Sequence, residues 1–230
     1  MGKLLNRIVS RGTLLQVALD FTELDDTIKI VRELIDLDVD IYEAGTPLIK
    51  NCGLRNLGIL RSFVGRQSVL LADTKTVDVG ALEAELAYKS GFDAITVLGS
   101  SDDEVIKLTL EKAKELDIDV VIDTIGISER NLTRRLEELK SLNVSIVNIH
   151  TGIDVQRLRG LRITDRLSVL KDLISSFKSN FKFSVSGGIR PDDIPKILEL
   201  DVSIIVIGSA ITKSDNPRES TRKALQYLRG

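Results

Sequence analysis

The segment ADTKTVDVG, residues 72–80, places Asp73, Lys75 and Asp78 directly behind the apolar run SVLLA. Asp73 and Lys75 are two apart, so on a strand of period two they share a face. Turned inward, each charge needs the other or a ligand, because an unpaired charge away from water is costly. The pair is therefore a buried ion pair or one wall of a site. Asp78 falls in a loop or first helical turn, where an acid already has a helix-dipole reason to be. Glu43, in YEAGTP, closes an earlier apolar run. It either bonds Lys75 or joins Asp73 as a pair of hard oxygen donors, the set that suits Mg2+, whose other positions stay with water or substrate. His150, the single histidine, ends SIVNIH. An imidazole can take up and release a proton near neutrality. Asp20 and Asp123 close two more apolar runs, LLQVALD and DVVID.

Two late segments, SVSGGIRPDD and VIGSAITK, carry small residues between an apolar run and a helical one. Glycine lets backbone N–H groups approach an anion, and a helix start adds a favourable dipole. Gly187, Gly188, Gly208 and Ser209 are the phosphate donors expected there. Turn glycines without a ligand would account for either loop alone.

Elements that could position these groups follow from periodicity. Short β-branched runs at 14–20, 40–45, 68–75, 94–99, 119–126, 145–152, 182–188 and 203–211 read as strands. Amphipathic stretches separate them. In ELDDTIKIVRELIDL, Leu24, Ile28, Val31 and Leu34 or Ile35 mark one face. The last stretch, NPRESTRKALQYLRG, has Pro near its start and Gly at its end, as helices do. Eight strand–helix units predict an α/β fold, a single-domain (β/α)8 TIM barrel over 1–230. An open doubly wound sheet is disfavoured because no GxGxxG follows the first strand. In a barrel the strand C-termini form the active face. Asp20, Glu43, Asp73, Lys75, Asp123 and His150 all lie there.

Hydrophobic residues make up 43% of the 230 residues and charged ones 29%, enough apolar content for a sizeable core. A net charge of −2 without a basic stripe argues against a nucleic-acid or membrane-surface partner. One cysteine, Cys52, excludes an internal disulfide and fits a reducing compartment. No apolar run nears the roughly 20 residues that span a bilayer, and MGKLLNRIVSRG lacks a signal-peptide core. A soluble, cytoplasmic protein is expected.

In order, LLQVALD, YEAGTPLIK, LADTKTVDVG, ITVLGSSDD, VVIDTIGI, VNIHTGID, SVSGGI and VIGSAI resemble the orotidine-monophosphate-decarboxylase superfamily. Its mark is D-x-K-x-x-D at the end of strand three. Within it the chain most resembles the 3-hexulose-6-phosphate synthases. That resemblance implies a homodimer with a shared active site and one Mg2+ per site. It implies Glu43 and Asp73 as Mg2+ ligands and Lys75 as a positive charge facing developing negative charge. His150 would be the acid/base, Asp20 would contact substrate and neighbouring charges, and Asp78 would reach into the neighbouring subunit's site. Asp123, Gly187, Gly188, Gly208 and Ser209 would bind substrate. The implied reaction is a reversible aldol step, joining D-ribulose 5-phosphate and formaldehyde into D-arabino-3-hexulose 6-phosphate. The related 3-keto-L-gulonate-6-phosphate decarboxylases typically carry Glu at the Asp123 position and Arg shortly after the histidine, where this chain has Ile153. Ser209 departs from the second Gly usual in the synthases. Neither the first twelve residues nor QRLRGLRITDR has a counterpart in the resemblance. A catalytically silent sugar-phosphate-binding barrel is the reading from another class, and the filled acid, base and metal positions argue against it.

Overall fold

The computed structural model describes residues 1–230. The chain begins with α1 (Lys3–Arg11), β1 (Leu14–Leu19), α2 (Leu24–Leu34) and β2 (Ile41–Ala44). Three short helices follow, α3 (Thr46–Cys52), α4 (Leu54–Leu57) and α5 (Leu60–Val64). Then come β3 (Val69–Thr76), α6 (Gly80–Lys89), β4 (Ala94–Leu98), α7 (Asp103–Leu116), β5 (Asp119–Asp123) and α8 (Glu129–Ser141). The chain ends with β6 (Ile146–His150), α9 (Ile153–Arg159), α10 (Leu167–Phe177), β7 (Lys182–Ser186), α11 (Ile194–Leu198), β8 (Ile204–Ile207), α12 (Ser209–Thr212) and α13 (Pro217–Arg229). The eight strands pair in sequence order, all parallel, and β8 closes on β1. This is the expected (β/α)8 barrel.

Parallel strands covered on both faces read as continuous apolar runs, and β1 is buried at all six positions. Outward side chains pack against the helices in one cluster that includes Val17, Tyr42, Leu70 and Phe183. Inward side chains form a second, smaller cluster with Leu14, Ile41, Val69, Ile146 and Ile204. On α2, Val31 and Leu34 are buried, while Ile35, just past its end, faces solvent. Asn216 caps α13, its side-chain oxygen accepting from the Glu219 N–H at 3.0 Å.

The first twelve residues have a structural task. Leu4 and Ile8 of α1 enter the inner cluster at the N-terminal end of the barrel and close its floor. Buried Asp119, at the start of β5, accepts the N–H groups of Leu4 (2.7 Å) and Leu5 (3.3 Å), capping a helix remote in sequence. Arg7 and Arg11 meet the fully buried Asp40 at 3.0 Å each, and Arg229 of α13 bonds the same carboxylate. Both chain ends are thus tied to one acid beneath the sheet.

Candidate active site

The barrel's C-terminal end holds a cavity of about 430 Å³. Asp20, Glu43, Asp73, Lys75, Asp123 and His150 all line it, as do Gly187, Gly188, Gly208 and Ser209. A second cavity of about 480 Å³ lies at the opposite end, beside α1 and α7. Of its charged residues, Lys107, Glu111, Lys114 and Asp117 are exposed and Asp119 is engaged by the α1 N–H groups, so it gathers no acid–base constellation.

Asp73 is held from three sides. Thr46 Oγ1 donates to its Oδ2 at 2.7 Å, Thr96 Oγ1 to its Oδ1 at 2.8 Å, and the Lys75 ammonium also bonds Oδ2. The expected two-residue alternation does not run straight through. The β3–β4 register shifts between Ala72 and Thr76, and Lys75 takes a left-handed backbone at φ 47°. Thr96 steadies this kink, accepting the Lys75 N–H at 2.9 Å through the hydroxyl that also holds Asp73. Both side chains still reach the cavity. Lys75 Nζ also lies 3.7 Å from Asp123 Oδ2. Burial pulls its pKa down, but Asp73 and Asp123 outweigh it and the net shift is upward.

Glu43 is almost enclosed, and Gln16 Nε2 donates to its Oε2 at 2.6 Å. Burial raises its pKa well above the ordinary value, and the charges of Asp73 and Asp20 add to the shift. Asp20 is raised too, by desolvation and then by Asp73, against the pull of Lys75, His150 and Lys213. Three carboxylates therefore crowd one side of the cavity with one ammonium among them, a surplus of negative charge that a cation would relieve. No cluster of three His, Cys, Asp or Glu side chains forms a closed metal cage. Mg2+ does not need one, since one or two carboxylates suffice when substrate and water supply the rest. The donor set fits that ion, with Glu43 and Asp73 as the residues that would hold it.

Across the cavity, His150 Nδ1 lies 2.9 and 3.1 Å from the two Asp123 oxygens. Asp123 is 2% exposed and also accepts the Ile125 N–H at 2.8 Å. Burial opposes its ionisation, but His150, Lys75 and that N–H overcome it and lower its pKa. With Nδ1–H donated to Asp123, the neutral ring keeps Nε2 as its free acid/base nitrogen. Asp123 lines the cavity, where the resemblance implies that it binds substrate, and its contacts also orient the histidine.

At the third side, the N–H groups of Gly188, Gly208 and Ser209 have no protein acceptor. Gly187, at φ 121°, packs so closely that a Cβ would lie 2.6 Å from the Thr151 carbonyl oxygen. Arg162 Nε donates to the Gly188 carbonyl at 2.8 Å and its guanidinium bonds Asp193, so it braces this loop. Arg157 lines the cavity. Asp78 is the one expected site residue outside its own chain's cavity: it is exposed, and its Oδ1 accepts the Val79 N–H at 2.7 Å. Sequence reasoning missed Gln16, Thr46, Thr96, Asn148, Ser184, Ser186, Gln156 and Lys213, which also line the cavity. Inward alternation back from Asp20, His150 and Ser186 would have found Gln16, Asn148 and Ser184.

A (β/α)8 barrel whose C-terminal end gathers paired carboxylates, a fixed ammonium, a His–Asp pair and open backbone donors is equipped to move a proton beside a charge that stabilises an anion. Residues 13–224 match the orotidine 5'-phosphate decarboxylase / HUMPS family, and the chain belongs to it. It is 31% identical over 214 residues to the 3-hexulose-6-phosphate synthase of Bacillus subtilis, covering 93% of this chain and 98% of that one. The crystal structure of 3-hexulose-6-phosphate synthase from Salmonella typhimurium superposes with a TM-score of 0.85 at 30% identity, covering 94% of this chain and 98% of that one. The crystal structure of KGPDC from Streptococcus mutans, solved as a complex, shares the fold at 24% identity and a TM-score of 0.83, covering 94% and 97%. The chain is an enzyme, a lyase of carbohydrate metabolism. No helix is long and apolar enough to cross a membrane.

Proposed function

We propose that this enzyme joins formaldehyde to C1 of D-ribulose 5-phosphate, giving D-arabino-3-hexulose 6-phosphate, and runs the same step in reverse. The observation that carries the reading is the His150–Asp123 pair facing Lys75, Asp73 and Glu43 across one cavity. In the forward direction His150 Nε2 takes the C1 proton while Asp123 keeps the resulting imidazolium oriented and compensated. The electron pair released from the C–H bond leaves an enediolate, and the Lys75 ammonium stabilises the negative charge on its oxygens. The C1 carbon then attacks the formaldehyde carbon, and the proton on His150 passes to the former carbonyl oxygen. Lys75 stays protonated throughout and forms no Schiff base. Glu43 and Asp73 would hold Mg2+, whose chemistry when bound is Lewis-acid polarisation of the substrate oxygens. Gly188, Gly208 and Ser209 would receive the phosphate through their free N–H groups.

The reading extends to a homodimer in which Asp78 serves the neighbouring subunit's cavity. Its support is the surface around Asp78, where Val77, Val79, Leu82 and Leu86 are exposed, an apolar grouping of the kind interfaces cover. The lone free Cys52 fits a cytoplasmic location.

Formaldehyde consumption dependent on ribulose 5-phosphate, measured with Mg2+ and again with a chelator, tests the chemistry. Turnover that the chelator abolishes is expected. Ligand binding without turnover in either direction would leave a silent sugar-phosphate barrel instead. Sedimentation equilibrium should give a dimer; a monomer at assay concentrations would remove the shared site.

A further inference from the structure

Lys75 at φ 47° and Val79 at φ 48° hold a left-handed backbone without being glycine, Asp or Asn, the types that tolerate it. The other non-glycine cases are Asp117, Asn143 and Asp201. For the β-branched Val79 the conformation is an outlier. Such backbone persists only where its surroundings over-determine it. The two residues bound the short link from β3 to α6, which carries Asp78.

Glu83, in the first turn of α6, holds that link at both ends. Its N–H donates to the Val79 carbonyl at 3.1 Å, and its carboxylate accepts the Thr76 hydroxyl. A first-turn acid has a dipole reason to be there, but that reason does not turn its side chain back onto the strand. Thr76 is 1% exposed, and a carboxylate only accepts, so the Thr76 proton is committed to Glu83. Thr76 Oγ1 also lies 2.9 Å from Thr74 Oγ1, which donates to the Thr96 carbonyl at 2.7 Å. The Lys75 turn is thus gripped from both sides: the Thr96 hydroxyl takes its N–H, and Thr76, the next residue, is anchored to α6. Neither Thr76 nor Glu83 lines the cavity. We infer that Glu83 is a positioning residue: through Thr76 it holds the Lys75 turn, and with it the ammonium, where the enediolate charge develops. This rests on the proposed reaction above and adds to it a residue outside the cavity.

Exchange of the C1 proton of D-ribulose 5-phosphate with heavy water, followed by NMR with Mg2+ and without formaldehyde, reads enediolate formation alone. Glu83→Ala should slow that exchange about tenfold or more, because small misplacements of a catalytic group carry such losses. Calorimetric binding of ribulose 5-phosphate should stay within about threefold, since the interaction lost serves the transition state. Glu83→Gln keeps an acceptor for Thr76 and should exchange within about threefold of wild type. Thr76→Val removes the same bond at nearly constant volume and should match Glu83→Ala. The double variant should be no slower than either, the mark of one shared interaction. Should Glu83→Ala fail to fold, Thr76→Val carries the comparison with wild type. Variants that lose Tm yet exchange at the wild-type rate would make the bond structural only and overturn the assignment, as would losses that add in the double variant. Wild-type chain that binds ribulose 5-phosphate but exchanges no C1 proton would remove the proposed reaction and this inference together. Wild-type exchange rates in the variants remove only the inference.

Discussion

Glu43 carries a stability cost, because burial resists its ionisation. Below the ordinary carboxylate pKa of 4.5 it is protonated in the folded and unfolded chain alike. As pH rises past that value the unfolded chain ionises freely while the folded one resists, so stability falls through the window up to the raised folded pKa. Glu43→Gln, with chelator present, should therefore raise Tm at pH 7 by a few degrees, at about 2–4 °C per kcal/mol relieved in a chain this long. The gain should vanish near pH 4, and thermal melts across pH check both arms. An equal gain at pH 4 and pH 7 would show that its charge is not the cause. His150→Ala should lower kcat by about 10²–10⁴, the usual worth of a positioned acid/base. Asp73→Ala should lose comparable activity, and circular dichroism should show the barrel intact in both. Near-wild-type rates in either variant would break the role given to it.

At the scale of elements, β3 and β4 act as one device. The Thr96 hydroxyl donates to Asp73 and accepts from the Lys75 N–H, so a single side chain fixes a carboxylate and a left-handed backbone. Thr96→Val keeps the volume but leaves the Lys75 N–H and Asp73 Oδ1 without their partner, and about 1–3 kcal/mol of stability should go with them. Denaturant melts measure the loss, and the assay should show kcat falling alongside; a Val variant as stable and active as wild type would contradict the role. The strand ends themselves were legible, because apolar runs break at Asp20, Glu43, Asp73 and His150. The kink was not. Period two places Asp73 and Lys75 on one face correctly while giving no sign of the register shift at Ala72–Thr76. Nor does alternation say that Asp123 spends its oxygens on His150. That pairing depends on the distance between β5 and β6 side chains, which no spacing along the chain encodes. The last strand ends at Ile207, and the Gly208–Ile211 stretch, read as its continuation, starts a short helix. Apolar runs of this length do not separate strand from helix.

For the whole molecule, the sheet order, closure and position of the cavity follow from eight repeated units and were readable at that level. The use of α1 was not, since a plug is recognised only once the floor it fills exists. It precedes the residues that match the family, 13–224. Leu4→Ala should cost about 2–5 kcal/mol, as for other fully buried leucines. The activity of folded molecules should be unchanged, because Leu4 lies beneath the inner apolar layer, away from the charged groups. A parallel loss of kcat would mean that the floor shapes the site. The inner apolar layer, with Leu4 and Ile8 packed beneath it, makes the cavity a cul-de-sac. With one doorway, a sugar phosphate seated at the mouth stands in the path of anything smaller lying further in. Molecules must queue, and the deepest enters first and departs last. Product-inhibition patterns should accordingly be those of an ordered mechanism, and a random-order pattern would mean that the doorway passes two guests at once.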